Sequence, residues 1–572
     1  MTTSPSDHPE PCDLAVVGAG PAGLAAAVTA AGLGLRVTLL DAGERPGGQY
    51  YRHPAPELRA SRPGALHRGW RAFADRERRL QAHRAAGRIL YLPSHHVWTV
   101  QAEGDLASAA QERPPVEPDQ RGDARPVPPG AGSLPATPGW CLHAVAGHAA
   151  DEQAVTVRAR TVLLATGAYE RQLPFPGWTL PGVVGAGGVQ AVLKSGLALP
   201  GRRIVVAGSG PLLLAVAGSL SAAGARVPAV VEAAHYAAYA LRLPALLGSP
   251  GKLVEGAAYG GALVRHGVRL LNRRAVVAAH GAGRIEAVTV ARLDRSWRPV
   301  PGSGRRIACD TLAVGFGLVP QRELADGIGC AVRRSADGTI ALDLDGEQRT
   351  SVPGVWSAGE AGGVGGVQLA LLEGELAAHS IAHHVSGTRR ARRTATLGAH
   401  RDRLRRFAQA METTHRPGPG WTDWLDDTTD VCRCEEVPAG RIREAVSEFG
   451  TIDARTVKLL TRAGMGWCQG RTCGPAVSHL VGQEPVPDRR PLSCPVPLKQ
   501  LAGLHDPSQP GGEPGPSAPP GAPRRPDEFP APRPPGGRGV GEPPDVHGAS
   551  GASGAPGAWG DHGEPGPCDT AD

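Results

Sequence analysis

Long apolar runs are missing from this chain. No stretch of eighteen or more uncharged hydrophobic residues occurs, so no transmembrane helix is expected. The opening MTTSPSDHPEPCD has neither a basic nor an apolar segment of the kind a secretory signal needs, so the sequence reads as cytoplasmic. Lysine is scarce as well. Lys194, Lys252, Lys458 and Lys499 are the only four among 61 basic residues, and 54 acidic residues hold the net charge to +7. Charge so balanced and dispersed, without a nucleic-acid-binding motif, argues against a nucleic-acid partner. One dense basic run, Arg389, Arg390, Arg392 and Arg393 continuing to Arg405 and Arg406, alternates with Leu397, Leu404, Phe407 and Met411. That spacing predicts a helix with one apolar stripe and a solvated basic face. Aromatic residues make up 4% of the chain, so its cores must be built on Leu, Val and Ala.

Glycine and proline are abundant instead, at about 23% together. Residues 1–11, 103–139 and 505–572 carry much of this excess with few apolar residues to bury, and they are expected to be disordered. The remaining length suits two to four domains. Ten cysteines in a chain read as intracellular point to metal or redox chemistry rather than a disulfide framework.

A pattern repeats at about 190 residues. Asp13–Gly20 is a short apolar strand running into glycines, Pro21–Gly34 an Ala/Leu helix, and Arg36–Ala42 a second strand ending in an acid. Arg203–Gly210, Pro211–Gly224 and Arg226–Ala233 repeat that order. Two such βαβ units predict an α/β protein with two Rossmann-like, parallel-sheet nucleotide domains. In the first unit Gly18, Gly20 and Gly23 have the GxGxxG spacing, with Asp41 eighteen residues beyond. Gly18 permits the tight turn, Gly20 a close approach to pyrophosphate, and Gly23 close helix–strand packing, while Asp41 can accept from ribose hydroxyls.

In the second unit Gly208 and Gly210 are kept, but Leu213 stands where a third glycine would. Leucine there is expected to push helix and strand apart. Glu232 would favour an unphosphorylated ribose, so NAD(H), another adenine nucleotide and an empty scaffold all remain open. No Cys-x-x-Cys lies near either unit. Cys141, Cys309 and Cys330 are isolated and read as buried structural thiols.

Cys432 and Cys434 form one tight pair, and Cys468 and Cys473 a second after 33 intervening residues. Four soft thiolates select iron–sulfur or zinc, with a redox thiol switch as a third reading. Cys-x-Cys is cramped for both ligands of a closed zinc tetrahedron. Glycines near Cys468 and Cys473 leave amide N–H groups for cluster sulfurs. Between the pairs, 440–450 and 452–462 read as short helices.

Three further stretches resemble flavin motifs of the pyridine-nucleotide-disulfide-reductase-like flavoproteins. They are Glu44-Arg45-Pro46-Gly47-Gly48-Gln49, then Leu163-Leu164-Ala165-Thr166-Gly167-Ala168, then 350–360, which ends in Gly359-Glu360. The resemblance implies FAD in the first site, with Gly48 and Gln49 along the ribityl and ring, Thr166 and Gly167 beside them, and Glu360 bonding a ribityl hydroxyl. The cysteine module resembles the [2Fe–2S] domain of bacterioferritin-associated ferredoxin, with its second pair spaced more widely. Together the two halves resemble the flavin-containing α-type subunits of opine oxidases, D-hydroxyproline dehydrogenases and hydrogen cyanide synthase, and more distantly of sarcosine oxidase. That resemblance implies an FAD-dependent amino-acid or amine dehydrogenase component, passing electrons from flavin to cluster, beside a flavoprotein β subunit and a small ferredoxin-like subunit. It divides the chain into a discontinuous FAD domain (12–200 and 310–387), an NAD(P)-like domain (201–309), a helical linker (388–426), the cluster domain (427–485) and a final segment (486–504). No catalytic acid or base is assigned; His53 after Tyr50-Tyr51-Arg52 reads as a loop residue.

Overall fold

The computed structural model describes residues 11–103, 139–147, 152–388, 390–450, 453–483, 490 and 492–502. The stretches expected to be disordered lie outside these, apart from Pro11, Glu103 and Gly139 at their edges. The chain begins with β1 (Cys12–Val17), α1 (Pro21–Gly32) and β2 (Val37–Leu40). Pro21 starts α1 where a backbone N–H would have no intrahelical partner, so its ring costs nothing there. Next come α2 (Trp70–Ala85), β3 (Ile89–Leu92), β4 (His95–Ala102), β5 (Trp140–Ala146) and β6 (Gln153–Leu164).

These strands form one seven-stranded sheet, completed by Val355–Ser357 beside β6. The expectation of a parallel sheet holds only in part. β3, β2, β1, the second half of β6 and Val355–Ser357 are parallel. β4, β5 and the first half of β6 instead form an antiparallel meander. β6 is twelve residues long, which lets one strand serve both arrangements.

The second unit is a five-stranded, wholly parallel sheet of Val183–Gly185, Ile204–Gly208, Ala229–Glu232, Arg269–Asn272 and Thr311–Gly315. A three-stranded antiparallel sheet, 274–280, 287–292 and 305–308, follows the same chain. The helix Val367–Ser386 then returns to the first sheet and lies on α1. Small residues permit backbone contact there: a side chain at Gly374 would meet the Ala22 carbonyl oxygen at 2.0 Å.

The basic run forms the helix Ala391–Thr414, with Leu397 and Leu404 buried as its stripe predicts. Its basic face is not wholly solvated, which corrects the sequence reading. Arg405 donates from Nε and Nη2 to the two oxygens of Glu373, which is fully buried, at 2.8 and 2.9 Å, and Arg401 stands 3.7 Å away.

The cysteine module contains helices Ala439–Ser447, Ala454–Thr461 and Gly474–Val481. It does not hang free. Val431, Cys432, Ile442, Val457 and Cys473 belong to one continuous core with Val205, Val231 and Leu312 of the second unit and with Trp178 and Trp424. Trp178 Nε1 donates to the Asp430 carbonyl at 2.6 Å, and Trp297 stacks on Trp424 with ring centres 6.2 Å apart.

Candidate functional site

The first glycine loop is shaped by close approaches. Gly18 has φ +103°, and a Cβ there would sit 2.4 Å from the Ala165 carbonyl oxygen; at Gly23 it would meet the Gly18 oxygen at 1.8 Å. Nothing stands within 4 Å of the position a Gly20 Cβ would take. Gly20 is therefore open toward the cavity while its neighbours are packed, as a phosphate cradle at a helix N-terminus requires.

Asp41 Oδ1 accepts from the Gly43 amide at 2.6 Å, and Oδ2 accepts from the Ala19 amide. Burial pushes this carboxyl up, and the two amides oppose the rise. Each oxygen keeps a second lone pair for a ribose hydroxyl. Glu360 behaves similarly: its oxygens accept from Gly365 at 2.8 Å and Gly366 at 3.0 Å. The longer side chain thus folds back onto the glycine turn that starts the helix Val367–Ser386. Gly359 donates to Glu373 at 3.0 Å, and Arg405 also reaches the Gly363 carbonyl at 2.6 Å. Sequence reading missed this buried Arg–Glu clamp under the loop. Thr166 Oγ1 donates to the Gln321 carbonyl at 2.5 Å, Gln49 accepts from Arg52 at 2.9 Å, and a Cβ at Gly48 would approach Gly20 Cα to 2.8 Å.

Gly18, Gly20, Asp41, Gly48, Gln49, Thr166, Gly167, Gly359 and Glu360 all line a single cavity of about 2100 Å³. Gly23 is packed behind it. Ligand cavities usually run to about 1000 Å³, so this one has room for more than one bound molecule. His53 lies on its wall, with Nδ1 against the Tyr51 carbonyl and its ring against Trp70 and Phe73. That is a packing role.

The second glycine loop differs. Gly208 keeps its turn, with φ +140° and the Gly315 oxygen 1.7 Å from a would-be Cβ. Leu213 is 1% exposed and packs with Val206 and Val216, so it fills the core under the loop rather than prising it open. Gly210 lines the cavity, but Gly208 and Glu232 do not. Glu232 is 1% exposed, and its oxygens accept from Gly210 at 3.1 Å and Ala234 at 2.9 Å. His415 Nδ1 stands 3.5 Å from it, bridged to Ser209 at 3.1 Å and, through Nε2, to Tyr239 at 2.6 Å. Glu232 thus accepts from its glycine loop and from the residue two further on, as Asp41 does, and differs in having His415 beside it.

The four cysteines meet. Cys468 interacts with both Cys473 and Cys434, and Cys473 also with Cys432. Cys432 and Cys473 are buried, Cys434 is exposed, and Cys468 lies between. A hydrogen bond from Cys473, and then one from Thr472, hold the Cys468 thiol below its usual range. Gly464 N–H donates to Cys432 Sγ at 3.4 Å. The Gly474 amide is spent on the Gly470 carbonyl at 2.6 Å, so only part of the expected glycine amide set faces sulfur. Among the described residues no three His, Cys, Asp or Glu side chains close round a single ion. The sulfurs instead run as a chain of neighbours, a donor set that fits a two-iron cluster needing four thiolates. Cys434, Arg433 and Thr472 also line the cavity of the first glycine loop.

A second link joins the halves. Arg471 donates from Nε to Glu323 at 3.0 Å, and Tyr169, three residues after Thr166, donates to the other Glu323 oxygen at 3.0 Å. Cys141, Cys309 and Cys330 are buried with thiols raised by burial, as inert structural cysteines should be. No described helix is long and apolar enough to cross a membrane.

A family model described as pyridine nucleotide-disulphide oxidoreductase matches residues 12–374, and one described as BFD-like [2Fe-2S] binding domain matches 431–483. The chain is 34% identical over 463 residues to hydrogen cyanide synthase subunit HcnB of Pseudomonas protegens, covering 80% of this chain and 89% of the relative. It is 32% identical over 512 residues to one of the opine oxidase subunits of Rhizobium meliloti, covering 86% and 99%. Among solved structures, L-proline dehydrogenase from P. horikoshii shares the fold at a TM-score of 0.54 and 18% identity, covering 86% of this chain and 79% of that one.

Proposed function

The chain belongs to the pyridine nucleotide-disulphide oxidoreductase family of flavoproteins and carries a BFD-like [2Fe-2S] binding domain, and on that premise we propose that it is the flavin-and-cluster subunit of an amino-acid or amine dehydrogenase acting in the cytoplasm. One observation carries the reading: the loops of the first nucleotide site and the residues around Cys434 line the same cavity. The relatives named as subunits of hydrogen cyanide synthase and opine oxidase support the amine side of it. Nine unpaired cysteines among the described residues suit a reducing compartment.

FAD, when bound, would supply a carrier able to take electrons in pairs and give them up singly, which suits a one-electron cluster. The chain's own part is positioning. Gly18, Gly20 and Gly23 open the helix N-terminus to a pyrophosphate. Asp41 and Glu360 fix the loops on either side and keep lone pairs toward the cavity. Gly48, Gln49, Thr166, Gly167 and Gly359 form the wall along which the ring would lie. Cys432, Cys434, Cys468 and Cys473 hold the cluster, with Gly464 donating to sulfur. The partners in this reading are a flavoprotein β subunit and a small ferredoxin-like subunit.

A second reading, a relay subunit that meets no substrate, is favoured by the relatives' being named as subunits. A third is an NAD(P)H-dependent reductase, for which Gly210 of the second loop faces the cavity while His415 stands beside Glu232. An anaerobic visible spectrum separates the three, taken before and after NADH and then a panel of secondary and D-amino acids. Bleaching by an amine supports the dehydrogenase, bleaching by NADH the reductase, and silence toward both, with flavin and cluster bands present, the relay.

A further inference from the structure

Trp467 stands apart from the other tryptophans. Of the nine among the described residues, seven are buried, whereas Trp467 is 82% exposed. It does not owe this to a loose loop. Gly464 and Gly470, both at positive φ, pinch the loop at its base, where a Cβ at Gly470 would lie 3.7 Å from the Gly464 Cα. Within it the Gln469 amide donates to the Gly466 carbonyl at 2.7 Å, and the Met465 amide to the Arg462 carbonyl at 2.9 Å. Trp467 thus sits on a closed turn, immediately before Cys468. Gly466 rests on the other thiol pair, because a Cβ there would meet the Cys434 Cβ at 2.3 Å. Cys434 is the exposed member of the four cysteines.

The neighbouring surface is apolar with a basic margin. Leu459 and Leu460 end the helix Ala454–Thr461 that leads into the turn, and both are exposed, as is Met465. An apolar group of this size on a soluble surface marks a contact with another molecule. From Ala454 to Cys473 the chain carries Arg455, Lys458, Arg462 and Arg471 and no acid. Arg462 and Arg471 are matched by Glu435 and Glu323. That leaves Lys458, and Arg455 beside the capping Asp453, to give this face positive charge.

An aromatic anchor with aliphatic neighbours and a charged rim is the make-up of a protein contact. Its place beside Cys434 and Cys468 says of which kind. The module shares its core with the second unit, so an electron acceptor must come to the module's own surface. The thiols reach that surface at Cys434, on which the Trp467 turn rests.

We propose that this turn is the docking surface for a small, acidic, one-electron carrier protein, with Trp467 as the anchor and Arg455 and Lys458 as steering charges. The inference rests on the flavin-to-cluster reading and goes beyond it by assigning where electrons leave the chain. One electron crosses at each encounter, reducing the carrier by one as the chain is oxidised by one. No bond changes and no proton is transferred.

The test uses the full chain loaded with FAD and cluster, and an acidic plant-type [2Fe–2S] ferredoxin as the probe. Transfer is run in reverse, from reduced ferredoxin into the oxidised chain, so that a strong reductant supplies the driving force. Bleaching is followed by anaerobic stopped flow. The wild-type rate should saturate with ferredoxin and fall as salt rises. Trp467→Ser should slow transfer about tenfold or more at low ferredoxin while keeping iron and FAD. The double variant Arg455→Glu/Lys458→Glu should be slow at low salt and converge with wild type at high salt. Should Trp467→Ser lose iron, the charge variant decides alone, since both its residues lie on the helix away from the thiols.

No saturable transfer to wild type, a rate indifferent to salt, or wild-type rates in either variant with its iron intact would each overturn the surface. So would sedimentation showing a wild-type dimer that Trp467→Ser dissociates, because a second copy of this chain would then cover the turn. Failure of the flavin-to-cluster reading is seen separately, as protein that purifies without iron or FAD. No amine enters the assay, so the dehydrogenase reading can fail without touching it.

Discussion

Arg471 and Glu323 are 148 residues apart in sequence, and their side chains meet at 3.0 Å, each about 15% exposed. Arg471 lies between Cys468 and Cys473, donates to the Cys468 carbonyl at 3.3 Å, and holds its guanidinium 5.9 Å from the centre of the Tyr169 ring. Tyr169 completes the link through its own bond to Glu323. The loop that carries two cluster thiols is thereby tied to the strand that leaves the flavin pocket at Thr166.

Arg471→Met leaves Glu323 nearly buried without its cation, and should lower stability by about 3 kcal/mol. Adding Glu323→Gln should recover much of that loss, which a double-mutant cycle in denaturant would measure. Iron and FAD contents should persist in the double variant. Cluster reduction after rapid photoreduction of the flavin should slow, because the bonded route between the sites is cut. An unchanged rate would show that transfer takes another path.

Cys434→Ser removes one thiolate from the chain of four while touching none of the first-site loops. Purified protein should keep stoichiometric FAD and lose most of its iron. A full iron complement by metal analysis would remove Cys434 from the ligand set.

The corner around Glu232 predicts silence toward NADH. With Gly210, Ala234 and His415 around its carboxylate, a dinucleotide must displace His415 and Tyr239 before its ribose can reach it. Anaerobic NADH should leave the wild-type flavin oxidised over minutes. His415→Ala with Tyr239→Phe should, if anything, open the corner, and nucleotide binding by calorimetry would show whether it does.

Glu412 gives a pH signature. It lines the cavity, and burial, with Asp337 nearby, brings its carboxyl up to about 7. The folded state therefore binds this proton more tightly than the unfolded chain does. The resulting stability is complete below the ordinary carboxylate range and fades as pH rises through about 7. Glu412→Gln should leave melting near pH 5 almost unchanged and raise stability near pH 8 by about 1–2 kcal/mol, after allowing for solvent screening. Parallel melting curves across that range for both proteins would refute the assignment.

Sequence was most informative where the chemistry is local. The first glycine loop, its helix and Asp41 lie within thirty residues, and the constraint on each glycine follows from backbone geometry that a motif records. The cysteine pairs were legible for the same reason. What stayed hidden depends on partners far along the chain. Nothing around Arg405 announces that Glu373, 32 residues earlier, needs its charge, and a solvated face was the natural reading of that run. His415 reaches Ser209 across 206 residues, and Lys194 reaches Tyr50 across 144. Their roles arise from where the fold puts them.

The continuous core that joins Cys432 and Cys473 to Val205, Val231 and Leu312 also bears on timing. A carrier on a tether must swing between donor and acceptor, so its speed follows solvent viscosity and linker length. Here the second redox module is cemented to the body of the protein, and its separation from the flavin pocket is set by packing. Electron flow through this chain should then be governed by driving force and the intervening bonds, and be indifferent to added glycerol.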